Sequence, residues 1–151
     1  MGYEITELQQ LNLQSRAQRI RPECPGPPAE CTCDVRGYHY SFWPDTIRRL
    51  IHDGLHDQAL TLTLECVDAA ERDEPFWDGC PAPWYTETAA TIYRRRKNYG
   101  AEVALLARFD RSSSPAHRGH FGVRIAQARA DVRGAQSLRW PAANLTAQAQ
   151  R

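Results

Sequence analysis

Residues 43–71 read WPDTIRRLIHDGLHDQALTLTLECVDAAE, and this stretch decides the fold. Pro44 and Asp45 suit a helix N-terminus, because proline gives up an N–H that has no partner there and an acid complements the helix dipole. Ile47, Leu50 and Ile51 then recur at the i, i+3, i+4 spacing of a helix with one buried face. Gly54 interrupts the pattern. From about Asp57 a second segment carries Ala59, Leu60, Leu62, Leu64, Cys66, Val67 and Ala70 around most of its circumference, which predicts a helix sandwiched between neighbours.

A second stretch repeats the plan. Residues 84–109 read WYTETAATIYRRRKNYGAEVALLARF, with Tyr85, Ala89, Ile92 and Tyr93 on one helical face, a polar break near Lys97-Asn98, and Val103, Leu106 and Phe109 beyond it. Leu62 and Leu106 are the expected core residues of the two second helices. Between the hairpins, residues 73–83 (DEPFWDGCPAP) carry too many prolines to continue either helix. A fifth helix is expected over 119–133, where Phe121, Ile125, Ala128 and Val132 form a stripe able to cap the open end of a helical array.

The two units resemble tetratricopeptide repeats, in which a large residue on the first helix meets a small residue on the second across a Gly-Asp-Tyr-like turn. In the first unit Gly54 takes the turn glycine, Ala59 the small crossing residue, and Leu50 the place often held by tyrosine. In the second, Tyr93 takes the tyrosine position, Asn98-Tyr99 the end of the turn, and Leu106 a large core position. Lys97 replaces the turn glycine and Glu102 the crossing alanine. The turns lie about 43 residues apart, against about 34 in the family. The segments APWYT (Ala82–Thr86), IYRRR (Ile92–Arg96) and EVALL (Glu102–Leu106) are also similar to those of small proteins of actinobacteria and their phages, a group that implies origin and fold but no defined activity. The tetratricopeptide resemblance implies an all-α module that binds a protein or peptide in a concave groove lined by the first helices. Arg48, Arg49, Thr88, Thr91 and Arg95 are the candidate contacts, with Trp77 of the joining loop as an interface anchor. Trp43 and Trp84, at helix starts, are expected to be buried.

Outside the hairpins, residues 4–20 have the capping-box spacing of Thr6 and Gln9 and an apolar Ile5, Leu8, Leu11 series, which predicts a short helix. Residues 21–36 are rich in proline and cysteine. The chain thus divides into an N-terminal helix and loop (1–36), a helical-repeat domain (37–133) and an Ala/Gln-rich tail (134–151).

Within the N-terminal loop and just after it, Cys24, Cys31, Cys33 and His39 offer three thiolates and an imidazole, enough ligands for tetrahedral zinc. The C-x6-C-x-C-x5-H spacing matches no common finger, so a plain linker with no resident cofactor is the expected reading and a zinc-tied loop the alternative. The motif HDGLHD (residues 52–57) would place His52 and His56 on one face of a continuous helix, but Gly54 falls where the hairpin turns, and a turn is the expected structure.

Composition narrows the function. Net charge is +1 and mean hydropathy is −0.61, so no global field attracts nucleic acid or an acidic membrane. No stretch reaches the roughly 18 apolar residues of a membrane span, and no signal-peptide pattern opens the chain. A cytoplasmic location is the expectation. The five cysteines fit reduced thiols better than a disulfide framework. The run Arg94–Lys97, flanked by Tyr93 and Tyr99, is the one candidate nucleic-acid patch, but four consecutive helical residues cannot face a single ligand. No phosphate loop, dinucleotide fold or nucleophile elbow is present. The expected function is a non-enzymatic protein- or peptide-binding module. A small nucleic-acid-binding regulator with a zinc-tied loop is the alternative.

Overall fold

Pro44 and Pro83 each open a helix, as a residue without an N–H can. The computed structural model describes residues 33–73 and 79–139, and they form an all-α body. Its helices are α1 (Pro44–His52), α2 (His56–Asp73), α3 (Pro83–Arg95), α4 (Tyr99–Ser112) and α5 (Gly122–Arg139). Each packs on the next along the chain.

Both helical hairpins turn the same way. α1 ends at Gly54 (φ 76°) and α3 at Lys97 (φ 56°), each one residue past the helix cap and in the left-handed region. In the first turn Gly54 N–H donates to Ile51 O and Leu55 N–H to Leu50 O; in the second Lys97 N–H donates to Arg94 O and Asn98 N–H to Tyr93 O. These are paired Schellman bonds, which satisfy carbonyls a helix end otherwise leaves open. Asn98 then caps α4, its side chain accepting from Ala101 N–H at 3.2 Å. His52 and His56 accordingly belong to two helices and share no face.

The expected helix phases hold. Leu62 is 2% exposed and Leu106 fully buried, in a core that also takes Trp43, Ile47, Ala59, Cys66, Ala89, Ile92 and Phe109. α5 covers α4 with Phe121, Ile125 and Ala128. It starts after Gly119 (φ 86°) and continues past 133 as far as Arg139, so part of the expected tail is helix. Ala135 and Gln136 are good helix formers, and the lack of a sustained apolar face there does not stop the backbone.

Side-chain pairs sort the helices into two sets. Arg48 of α1 lies over Trp84 of α3, and α3 meets α5 through Arg94–Asp131 and Arg124–Thr91. On the other side Arg108 of α4 pairs with Asp68 and Glu71 of α2.

Ahead of α1 stands a small element that periodicity did not predict. Strands β1 (Asp34–Val35) and β2 (Tyr38–His39) pair antiparallel through Arg36-Gly37. Both turn residues have positive φ (51° and 85°), the geometry of a two-residue type I′ hairpin. A 3-10 turn, Tyr40–Phe42, leads into α1. The hairpin is docked: Val35 is 4% exposed, Trp43 Nε1–H donates to Val35 O at 3.1 Å, and Arg36 grips Glu65 of α2 with two bonds of 2.7 and 2.8 Å. A boundary at 36/37 would therefore cut a folded unit. The helix expected at 4–20 and the residues beyond 139 lie outside the described residues.

Candidate functional site

Most of the predicted contacts lie on α1 and α3, which meet through Arg48 and Trp84. Arg48, Arg49 and Arg95 are exposed, while Trp84 and Thr88 are half-buried. Trp84 thus departs from the expected burial. Its indole packs edge-on against Tyr85, with ring centroids 5.0 Å apart, and carries the Arg48 guanidinium 5.1 Å above its own centroid. Asp45, one turn back, accepts from Arg48 at 2.9 Å. Arg48 is therefore held from two sides at the surface. Thr88 donates to Trp84 O within its own helix. Thr91 accepts from Arg124 of α5 at 3.2 Å, so it sits at the α3–α5 seam. Trp77 lies outside the described residues.

The basic run does not form a patch. Arg94 is bonded to Glu102 and Asp131, and Arg96 to Asp57. Among the described residues, Arg95 and Lys97 alone of the run form no ion pair, and Lys97 sits in the turn.

Glu102 is the less expected feature. It is fully buried, and its Oε1 accepts from Arg94 Nε at 3.0 Å and from Arg124 Nε at 2.8 Å. Its Oε2 finds no partner. One carboxylate thereby ties α4 to both α3 and α5. The sequence showed Glu102 as a misplaced charge within reach of the Arg94–Lys97 run; Arg124, twenty-two residues away, carried no mark.

The small hairpin meets the C-terminal end of α2 in a second polar cluster. Sγ of Cys33, a ring nitrogen of His39 and a carboxylate oxygen of Asp73 all lie within 4.8 Å of one another. Cys33 is 3% and Asp73 1% exposed, and His39 as a whole residue is half-buried. Cys33 donates to Asp73 Oδ1 at 3.5 Å and the Tyr40 hydroxyl to Oδ2 at 2.9 Å. Burial, and then that bond to Asp73, push the Tyr40 phenol well above its ordinary value. On its other side Tyr40 lines, with Ala70, Cys80 and Ala82, a cavity of about 310 Å3. Of the predicted ligands, Cys33 and His39 are brought together; Cys24 and Cys31 lie outside the described residues. Asp73 was missed because it stood at the start of an expected loop.

Cys66 is buried inside α2, and burial pushes its thiol up to about 12, the nearby Glu65 adding to the effect. Cys80 is half-buried and packs against the core.

No family model, curated protein or solved structure matches the chain. Among the described residues, no helix is long and apolar enough to cross a membrane.

Proposed function

We propose that the chain is a non-enzymatic binding module that takes a carboxylate-bearing protein or peptide segment on the α1–α3 face. The supporting observation is the fixed Arg48. An exposed arginine normally loses side-chain freedom on binding, whereas this one already rests on Trp84 and Asp45. Its planar fork suits a carboxylate, and the half-buried Trp84 beside it suits an apolar neighbour on the partner. Arg49 adds a second exposed cation. The split of the Arg94–Lys97 run weighs against nucleic acid.

Selection of displayed peptides against the full chain tests the reading. Peptides combining an acidic and a large apolar residue are expected, with binding weakened at least about tenfold by Arg48→Ala or Trp84→Ala, an effect within the range of an interface anchor. Selected peptides indifferent to both changes would refute it. So would tight binding of labelled oligonucleotides that falls steeply with salt.

A further inference from the structure

We infer that Cys33, His39 and Asp73 form a site for a divalent borderline metal ion of the zinc type. The inference is independent of the α1–α3 face and keeps Cys33 and His39 of the four ligands that the sequence offers, with Asp73 in place of Cys24 and Cys31.

Ligands around tetrahedral zinc sit about 2.0–2.3 Å from the metal, which puts neighbouring donor atoms roughly 3.3–3.8 Å apart. Cys33 Sγ and Asp73 Oδ1 are 3.5 Å apart, and no pair among the three donors exceeds 4.8 Å. A thiolate, an imidazole and a carboxylate make a mixed sulfur, nitrogen and oxygen set, which selects zinc-like ions over calcium or magnesium. The thiolate and carboxylate together match the charge of a divalent ion.

The position favours a cation on separate grounds. Asp73 is the last residue of an 18-residue helix and 1% exposed. The helix dipole places negative potential at that end and burial removes solvent, so both favour a positive charge beside the carboxylate in addition to its Cys33 and Tyr40 donors. The outer contacts also fit. Tyr40 donates to Asp73 Oδ2, leaving Oδ1 toward Cys33. Ser41 N–H donates to His39 Nδ1 at 3.2 Å and Ser41 Oγ lies 2.8 Å from the same nitrogen; ligation through Nε2 would move the proton to Nδ1 and exchange the backbone bond for donation to that hydroxyl. Three protein ligands leave a fourth position for water or another donor.

The metal would act as a clasp. Cys33 precedes the β-hairpin and His39 ends it, and Asp73 lies beyond α1 at the far end of α2. Closing that link would stabilise the hairpin's docking through mass action.

The full-length protein, stripped with chelator and titrated with cobalt(II) and then zinc(II), tests the site. One metal per chain is expected, with a thiolate-to-cobalt charge-transfer band and the intense visible bands of a tetrahedral ion. Cys33→Ser should abolish the charge-transfer band. Asp73→Asn should weaken binding at least about tenfold, the loss already typical of outer-shell changes. The Cys24→Ser/Cys31→Ser double variant should retain both band and stoichiometry. His39→Ala, at a partly exposed position, guards against misfolding: its circular dichroism should be unchanged while affinity falls. Absence of the cobalt bands in the wild-type chain would overturn the proposal. Stoichiometric metal that survives Asp73→Asn but disappears with Cys24 and Cys31 would overturn it too.

Discussion

The two hairpins place a fully buried residue at the same point and fill it in opposite ways. Ala59 is the fourth residue of α2 and Glu102 the fourth of α4; each is 0% exposed. The residue eight positions earlier is Ile51 in the first hairpin and Arg94 in the second, each two places before its helix cap. An apolar pair in one copy is thus an ion pair in the other. The difference teaches what the charge does. The first hairpin closes on itself through small and branched apolar groups. In the second, Glu102 has capacity left after Arg94 and takes Arg124 from α5 as well. Buried ion pairs give little net stability over well-packed apolar groups, so the gain here is in the choice of partner: α5 docks where its arginine meets a carboxylate.

Swapping the two solutions gives the largest expected effect. Ala59→Glu introduces a carboxylate at a fully buried position whose aligned neighbour is Ile51. A loss of about 4–5 kcal/mol is expected from the unpaired buried charge and overpacking, measured by urea unfolding. Adding Ile51→Arg should restore part of it. A double variant no better than the single would break the proposed equivalence of the two crossings.

Next come the second-helix leucines. Leu62→Ala and Leu106→Ala each empty a closed site and should cost about 2–5 kcal/mol. The two losses should be similar, since both lie beneath the crossing rather than at it. A melt unchanged by either would place that leucine outside the core.

Glu102→Ala should cost less than breaking a sealed ion pair, about 2–3 kcal/mol, because Arg94 (35% exposed) and Arg124 (23%) can regain water. The feature that separates this from ordinary core damage is location. Amide exchange should rise most along α5, and Arg124→Ala should reproduce that rise. Uniform exchange across all helices would show that Glu102 serves α3 and α4 alone.

The first hairpin also carries an alkali-sensitive group. Cys66 in α2 keeps its proton in the folded chain to about pH 12, against an ordinary 9.0 when unfolded. Between those values the unfolded chain releases a proton that the folded chain retains. The thiol's contribution is therefore complete below pH 9 and is lost as pH climbs toward 12. Thermal melts above pH 9 should fall more steeply for the wild type than for Cys66→Ala. Parallel curves would assign the alkaline loss elsewhere, to groups such as Tyr85, which burial also pushes upward.

Much of this comparison was legible before the structure. Pro44 at a helix start, the breaks at Gly54 and Lys97-Asn98, and the phases of Leu62 and Leu106 all act over a few residues, so a linear reading finds them; the Asn98 cap and the Pro83 helix start were not read. Glu102 was legible as a misfit but not as a hub, since Arg124 reaches it from another helix. The Asp34–His39 hairpin was missed because its two-residue strands are too short for an alternating pattern. The Arg36-Gly37 pair was the available signal. Asp73 joins Cys33 and His39 only through folding of α1 and α2, which no spacing rule encodes.

The smallest effect is at the turns, where the two hairpins share a backbone but not a residue. Gly54 and Lys97 occupy the same left-handed position with the same pair of Schellman bonds. A Cβ on Gly54 would meet nothing within 4 Å, so Gly54→Ala should cost the backbone strain, about 1 kcal/mol, offset in part by the stiffer unfolded chain, for a net loss of about 0.5 kcal/mol. Lys97 already bears that strain. Lys97→Gly relieves it but gives the unfolded chain more freedom, about 0.4–1 kcal/mol in the opposite sense. The net expectation is a stabilisation of about 0.5 kcal/mol, read as a small rise in urea midpoint with unchanged slope. A loss on Lys97→Gly would mean that the lysine side chain contributes more than its strained backbone costs, and the two turns would then be alike in geometry only.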